Sequence, residues 1–389
     1  MVFKIMENTV FTNARLIARD RVVSGELLIS DGWIAGINDS GQNSFNGAVG
    51  SIDCEGDFLA PGMIELHTDN LERHLRPRPN VVQPEIDAVL AHDGELASVG
   101  ITTVFDALRI GSLTADIRPG REPYAVAAAG AITELAAKNH LRIDHQIHLR
   151  CELCSQTLGD ELDAMQDMQL VRIVSLMDHT PGQRQFRDPA KLDVFLKARH
   201  GMSDAEIKRH YGEMIELRAL NADRHRDLAL DFAKAVNAVV ASHDDTTAAD
   251  VDLAVKTGTR IAEFPTTMEA ASLCHDNGIS VMMGAPNLIR GGSHSGNVAA
   301  VDLVKHGFLH ILSSDYVPAS LLKSAVQFGQ MMNDLAAGIA SVTEIPARAA
   351  GLDDRGSLAV GLRGDLLRFA VIDGRPIIRG VWCAGRQVA

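Results

Sequence analysis

A chain of 389 residues with 46% apolar, 22% charged and only 4% aromatic residues can bury one large core or two to three smaller ones, packed mainly by Ala, Val, Leu and Gly. Its net charge of −13 argues against a general nucleic-acid or anionic-membrane surface, so an anionic ligand would have to meet a local basic pocket. No apolar run approaches the length of a membrane span, and residues 1–10 lack the charged-then-apolar pattern of an export signal, so a cytoplasmic protein is expected.

Residues 9–56 alternate apolar and polar positions between turns at Asp31-Gly32, Gly41 and Gly47. That pattern predicts short strands of a small β domain. The tail repeats it around Asp373-Gly374, and both ends are expected to join one sheet with the middle inserted as a single domain.

The middle alternates apolar runs and amphipathic stretches. Strands are predicted at 62–67, 101–107, 143–152, 171–179, 238–243, 261–265, 280–285 and 310–315, with helices such as 85–98, 122–138, 246–256, 267–276 and 321–340 between them. Eight such units imply an α/β fold, a (β/α)8 barrel whose sites sit at the carboxyl ends of its strands. A doubly wound open sheet is the other arrangement of this pattern, but no G-x-G-x-x-G follows an early strand. The expected division is 1–57 with 356–389 as a small β-sandwich domain and 58–355 as the barrel. Residues 180–237 are too long for a plain connection and read either as a lid-like insertion or as a solvated helical hairpin, with a helix starting at a Ser203–Glu206 capping box.

The chemistry is concentrated where the strands end. The first closes in Glu65-Leu-His67-Thr-Asp69, and strict alternation puts those three side chains on one face. The third carries His148, Arg150 and Glu152 on one face, which is costly to bury without pairing, a metal or a wet mouth. Later runs end in Asp178-His179, in His243-Asp244-Asp245 and in Asp315. One such ending is more often an ordinary structural residue. Five together, with nitrogen and oxygen donors and no clustered cysteines, point to Zn²⁺, Mn²⁺ or a related divalent ion, with two ions as the expected count. Five scattered cysteines make no disulfide framework, and Cys151 and Cys154 read as buried thiols projecting to opposite faces.

Two stretches read as anion sites. Arg73, Arg76 and Arg78, stiffened by Pro77 and Pro79, could clamp an anion. After the seventh strand, Asn287, Arg290, Ser293 and His294 surround Gly291-Gly292, which lets backbone approach a ligand. Each has a bland counterpart, a solvated basic face or a polar turn.

With these motifs in place the chain resembles the amidohydrolase superfamily, a metal-dependent (β/α)8 barrel beside a small β-sandwich built from both termini. The features are Pro61-Gly62…His67, Ser314-Asp315, and Gly356-Ser357-Leu358 followed by Gly361…Gly364-Asp365. More narrowly, the stretches 65–79 (ELHTDNLERHLRPRP), 242–247 (SHDDTT), 263–267 (EFPTT), 283–297 (MGAPNLIRGGSHSGN) and 312–318 (LSSDYVP) resemble the PhnM family of phosphonate-utilisation enzymes.

That resemblance implies a diphosphatase that hydrolyses the α–β phosphoanhydride of ribose 1-methylphosphonate 5-triphosphate and releases pyrophosphate. It implies metal ligands at His67, Asp69, Glu152, His179, His243 and Asp315, with Glu152 as the bridge and Asp315 also as the catalytic acid–base. Arg73, Arg76, Arg78, Arg184, Arg290, Ser293 and His294 are then the candidates for substrate binding. The pattern departs from the superfamily at Asp69, where a histidine is usual. His179 and His243 fall on the fourth and fifth strands rather than the fifth and sixth, so either 180–237 hides a strand or the frame is shifted, which brings in Glu263. The implied partner is a small triphosphate, with no nucleic acid or membrane, and a homo-oligomer is compatible with the sequence. The alternatives are an amidohydrolase acting on a cyclic amide or an amino-purine or amino-pyrimidine, and a scaffold that has lost its metals and binds a partner.

Overall fold

The computed structural model describes residues 8–39, 45, 50–111, 123–166, 168–184, 197, 202–293 and 296–389. Five strands near the amino end, β1 (Thr9–Ile17), β2 (Val22–Ser30), β3 (Trp33–Asn38), β4 (Gly50–Asp53) and β5 (Phe58–Pro61), share one sheet with three from the carboxyl end, β14 (Leu366–Ile372), β15 (Arg375–Cys383) and β16 (Arg386–Gln387). Its order is β16-β15-β14-β5-β1-β2-β3, with β4 paired to β1. The two Asp-Gly turns make the hairpins: Asp31 and Gly32 have φ of 51° and 86°, Asp373 and Gly374 51° and 74°. Two successive left-handed residues give the twist that suits a tight β-hairpin. The inner face is closed by Phe11, Leu16, Leu27, Ile29, Leu59, Leu366 and Trp382.

The middle of the chain supplies eight parallel strands, β6 (Met63–Thr68), β7 (Ile101–Ile110), β8 (Asp144–Glu152), β9 (Val171–Met177), β10 (Val239–His243), β11 (Ile261–Glu263), β12 (Ser280–Gly284) and β13 (Ile311–Ser313), paired in chain order. A bridge between Thr68 and Asp315 joins the last strand to the first and closes a (β/α)8 barrel. All eight coincide with the apolar runs read from the sequence. Ile64, Leu66, Phe105, Ile173, Ala241, Ile261, Met282 and Ile311 fill the barrel, while larger clusters pack the surrounding helices against its outside.

The first strand departs from simple alternation. Its pairing with β7 slips between Glu65 and Thr68, a bulge that lets His67 face the interior directly after the core residue Leu66. Close approach at its start requires Gly62, because a Cβ there would lie 2.2 Å from Thr102 Oγ1. At the amino ends of the strands, Asp144 accepts hydrogen bonds from Arg363 (2.9 Å) and Arg355 and ties the tail to the barrel on the side away from the site.

The helix Glu85–Ser98 falls where the sequence placed it. The stretch read as one helix over 321–340 is two, Ser320–Met332 and Leu335–Ala340, broken where Asn333 turns left-handed at φ 52° and Asp334 caps the second helix. In 180–237, the capping box of Ser203 and Glu206 opens a helix running Asp204–Ala235, and no strand occurs among the described residues between β9 and β10. His179 therefore follows the fourth barrel strand and His243 ends the fifth. Residues 185–196 and 198–201 of that insertion lie outside the described residues. No described helix is long and apolar enough to cross a membrane.

Candidate active site

The carboxyl ends of the barrel strands bring a set of buried imidazoles and carboxylates into one cleft. His67, Arg150, His179, His243, Asp244, Asn287, Arg290, Ser293, Asn297, Asp315 and Tyr316 line it, together with Phe264. Their backbone is unusual: Asp244, Phe264 and Asp315 follow β10, β11 and β13 with φ of 57°, 54° and 55°. Aspartate tolerates this left-handed region, but a bulky residue there is a genuine outlier, and such strain collects at functional sites. Phe264 is held by its surroundings, its ring edge-on to His67 and His243 at centroid distances of 5.0 and 5.5 Å.

Glu263 lies at the centre of the inner group. Its Oε2 is 2.9 Å from His243 Nδ1 and 2.7 Å from Ser175 Oγ. Its Oε1 lies 3.2 Å from His67 Nδ1 and 3.3 Å from His148 Nε2, yet both of those buried nitrogens lack a hydrogen-bond partner. The second contact is informative. His148 donates Nδ1–H to Leu66 O at 2.8 Å, which assigns a lone pair to Nε2 in the neutral ring. Burial keeps that ring neutral by pushing its pKa down to about 4. A lone pair and a carboxylate oxygen then face each other in a dry interior, an arrangement that a cation between them would stabilise.

The outer group is built by a different device. His179 donates Nδ1–H to Glu152 Oε2 at 2.5 Å, and His243 is backed by Glu263 in the same manner. Both Nε2 atoms are thereby turned toward Asp244 Oδ2, at 4.0 Å for His179 and 3.5 Å for His243. An imidazole held from behind by a carboxylate is the usual way proteins orient a metal ligand. Among the described residues, the groups able to converge on one ion are His67, His243 and Glu263; His179, His243 and Asp244; and Glu152, Cys154 and Asp178. The donor chemistry fits a divalent ion.

Glu152 is buried and fully engaged, accepting also from the His179 backbone N–H (3.1 Å) and from Cys154 Sγ (3.0 Å). The structure thus brings Glu152 to His179, while Glu263 takes the central place among the histidines. Glu65, expected beside His67, turns underneath and accepts from His67 N–H and Ser313 Oγ at 2.7 and 2.8 Å. Burial, reinforced by the charge of Asp69, pushes the Asp315 carboxyl up to about 7. Asp69 itself is at the rim, 3.9 Å from Arg150 Nη1.

The arginines expected to bind an anion divide. Arg290 and Ser293 line the cleft. Arg73 points outward, 60% exposed, and pairs with Glu95 at 2.6 Å. Arg76 lies over the Tyr124 ring at 5.7 Å, and Arg78 is exposed in a turn with Val81. Arg184 is buried behind the site, donating to His243 O and, at 2.9 Å, to Asp245. His294 lies outside the described residues. The five cysteines are free and buried.

Sequence reasoning gave no binding role to Arg150, Asp244, Asn297 or Tyr316. Asp244 was within reach, since it directly follows His243 at a strand end. Arg150 was marked only as a charge costly to bury, and Asn297 and Tyr316 had no signal beyond their place near strand termini.

No family model matches the chain. It is 40% identical over 384 residues to the alpha-D-ribose 1-methylphosphonate 5-triphosphate diphosphatase of Escherichia coli (strain K12), covering 97% of this chain and 100% of the relative. Among solved structures it resembles N-isopropylammelide isopropylaminohydrolase from Burkholderia multivorans (TM-score 0.64, 15% identity, 98% of each chain covered). It also resembles N-acetylglucosamine-6-phosphate deacetylase from Pasteurella multocida (TM-score 0.63, 12% identity, covering 98% of this chain and 99% of that one). At such identities these two likenesses concern the fold.

Proposed function

The chain belongs to the alpha-D-ribose 1-methylphosphonate 5-triphosphate diphosphatase family, and from that membership we propose that it is a hydrolase of the same phosphoanhydride, cleaving between the α and β phosphorus atoms of the ribosyl triphosphate and releasing pyrophosphate. The observation that carries the reading is the union, in one cleft at the barrel mouth, of a cation-demanding set of histidines and carboxylates with Asp315 and two arginines.

Two divalent ions, Zn²⁺ or Mn²⁺, suit the inner and the outer group of donors. His67, His148 and Glu263 would hold one, and His179, His243 and Asp244 the other, with Glu152 orienting His179 and with Asp69 and Asp315 at the rim. Such ions, when bound, act as Lewis acids that make water a nucleophile near neutral pH. Glu152, the bridge implied by the family resemblance, has the better claim as a support for His179, and the central carboxylate is Glu263.

The protein's own groups do the rest. Asp315 accepts the proton of the attacking water. The oxygen of that water bonds to the α phosphorus, the bond from that phosphorus to the bridging oxygen breaks, and pyrophosphate leaves with the electron pair. Arg290 and Ser293, which line the same cleft, bind the departing phosphates.

The test is pyrophosphate release from a panel containing ribose 1-methylphosphonate 5-triphosphate and ATP, with metal-stripped and metal-reloaded protein. Metal-dependent release from the ribosyl phosphonate is expected. No release from any triphosphate, alongside turnover of a cyclic amide or an amino-purine, would overturn the reading.

A further inference from the structure

The guanidinium of Arg150 stands apart from those of the other buried arginines. Arg355, Arg363, Arg184 and Arg368 are between 9% and 14% exposed, and each has a carboxylate oxygen within 2.9 Å. Arg150 is equally buried at 14%, but the carboxylate it approaches, Asp69, is 3.9 Å away. Its Nε is enclosed and has no hydrogen-bond partner. A buried donor left without an acceptor costs about 1–3 kcal/mol, so a structural arginine would be paired.

Its place is also informative. Arg150 lies on the inward face of β8 and lines the cleft with His67, His179, His243 and Asp315. On the neighbouring strand β7 its partner in register is Arg109. A guanidinium offers parallel donors that match two oxygens of one phosphoryl group.

We propose that Arg150 binds the non-bridging oxygens of the phosphoryl group undergoing attack. Charge that builds on those oxygens as water adds to phosphorus meets donors already in place, which need no reorganisation. The assignment rests on the hydrolysis reading above and names the contact that reading lacked, because Arg73, Arg76, Arg78 and Arg184 do not line the cleft.

The experiment compares the metal-loaded wild type with Arg150→Met and Arg150→Lys. It measures kcat and KM for pyrophosphate release, affinity for inorganic tripolyphosphate by calorimetry, and metal content. Arg150→Met is expected to lower kcat/KM at least ~100-fold, mostly through kcat, and to weaken tripolyphosphate binding while bound metal is unchanged. Arg150→Lys keeps the charge but not the fork and is expected to lose at least ~10-fold, which keeps the test decisive if the methionine variant does not fold. Wild-type kinetics and tripolyphosphate affinity in the variants, beside an active wild type, would overturn the assignment alone. A wild type that releases no pyrophosphate from any triphosphate would remove the functional reading and the assignment with it.

Discussion

His179 Nδ1 lies 2.5 Å from Glu152 Oε2, and that one contact fixes which nitrogen of the ring is turned to the cleft. Glu152→Gln replaces the carboxylate with an amide that holds the ring more weakly. The expected outcome is a loss of metal affinity of about 10–100-fold, with the bound stoichiometry restored at high metal concentration. Metal titration of the stripped variant measures it. Permanent loss of one ion at saturation would instead make Glu152 a direct ligand.

Glu263→Gln should be more severe, because Glu263 touches His67, His148 and His243 together. Metal content after dialysis should fall below that of Glu152→Gln under the same conditions. Equal retention in the two variants would contradict the central place given to Glu263.

Asp315→Asn removes the proposed proton acceptor while conserving shape and the left-handed backbone that Asn also tolerates. A fall in kcat of about 10²–10⁴-fold is expected, with the thermal midpoint little changed. Retention of more than a tenth of the wild-type kcat would count against the role.

Metal also bears on stability. An ion held only by the folded chain contributes about 2.7 kcal/mol at a hundred times its dissociation constant, so a strong chelator should lower the unfolding midpoint and re-addition should restore it. An unchanged midpoint with metal demonstrably removed would contradict the fit of the donor set.

Behind the barrel wall, Asp106 accepts from His145 Nδ1 at 2.7 Å and from His92 Nε2 at 2.9 Å, all three fully buried. Burial alone would depress His145, but the charge and hydrogen bond of Asp106, with Asp93 behind it, raise its pKa to about 10. Burial likewise opposes ionisation of Asp106, and His145 more than offsets it, holding that carboxyl below its ordinary range. The signs follow by linkage. The raised histidine stabilises the fold fully below its unfolded value of 6.5, and this contribution is lost as pH rises through about 10. The depressed carboxylate stabilises the fold above its unfolded value of 3.8, and its contribution is lost as pH falls. Urea unfolding should therefore show stability falling from pH 6.5 toward 10 in the wild type. Asp106→Asn should cost about 3–5 kcal/mol near pH 6 and flatten that fall. A wild-type profile level across this range would contradict the pairing.

Much of this was legible in the sequence because parallel barrel strands are buried on both faces and read as continuous apolar runs. The endings of those runs, at His67, His179, His243 and Asp315, marked the strand ends that converge on the cleft. Side-chain direction was less legible. The bulge after Glu65 breaks alternation without a glycine or proline to announce it. Arg73 looked like an anion clamp because its partner, Glu95, lies on the next helix. Arg150 was visible as a charged residue on a buried strand, but its lack of a close partner is a property of three-dimensional packing. The split at Asn333 depends on a left-handed residue whose type only permits it.

The central claim is attack by water on the α phosphorus at the barrel mouth. Its most direct test is hydrolysis of ribose 1-methylphosphonate 5-triphosphate in ¹⁸O-enriched water, with the products followed by phosphorus NMR. The account predicts label in the ribosyl 5-phosphate and none in the pyrophosphate. Label in the pyrophosphate, or orthophosphate as the released product, would contradict it.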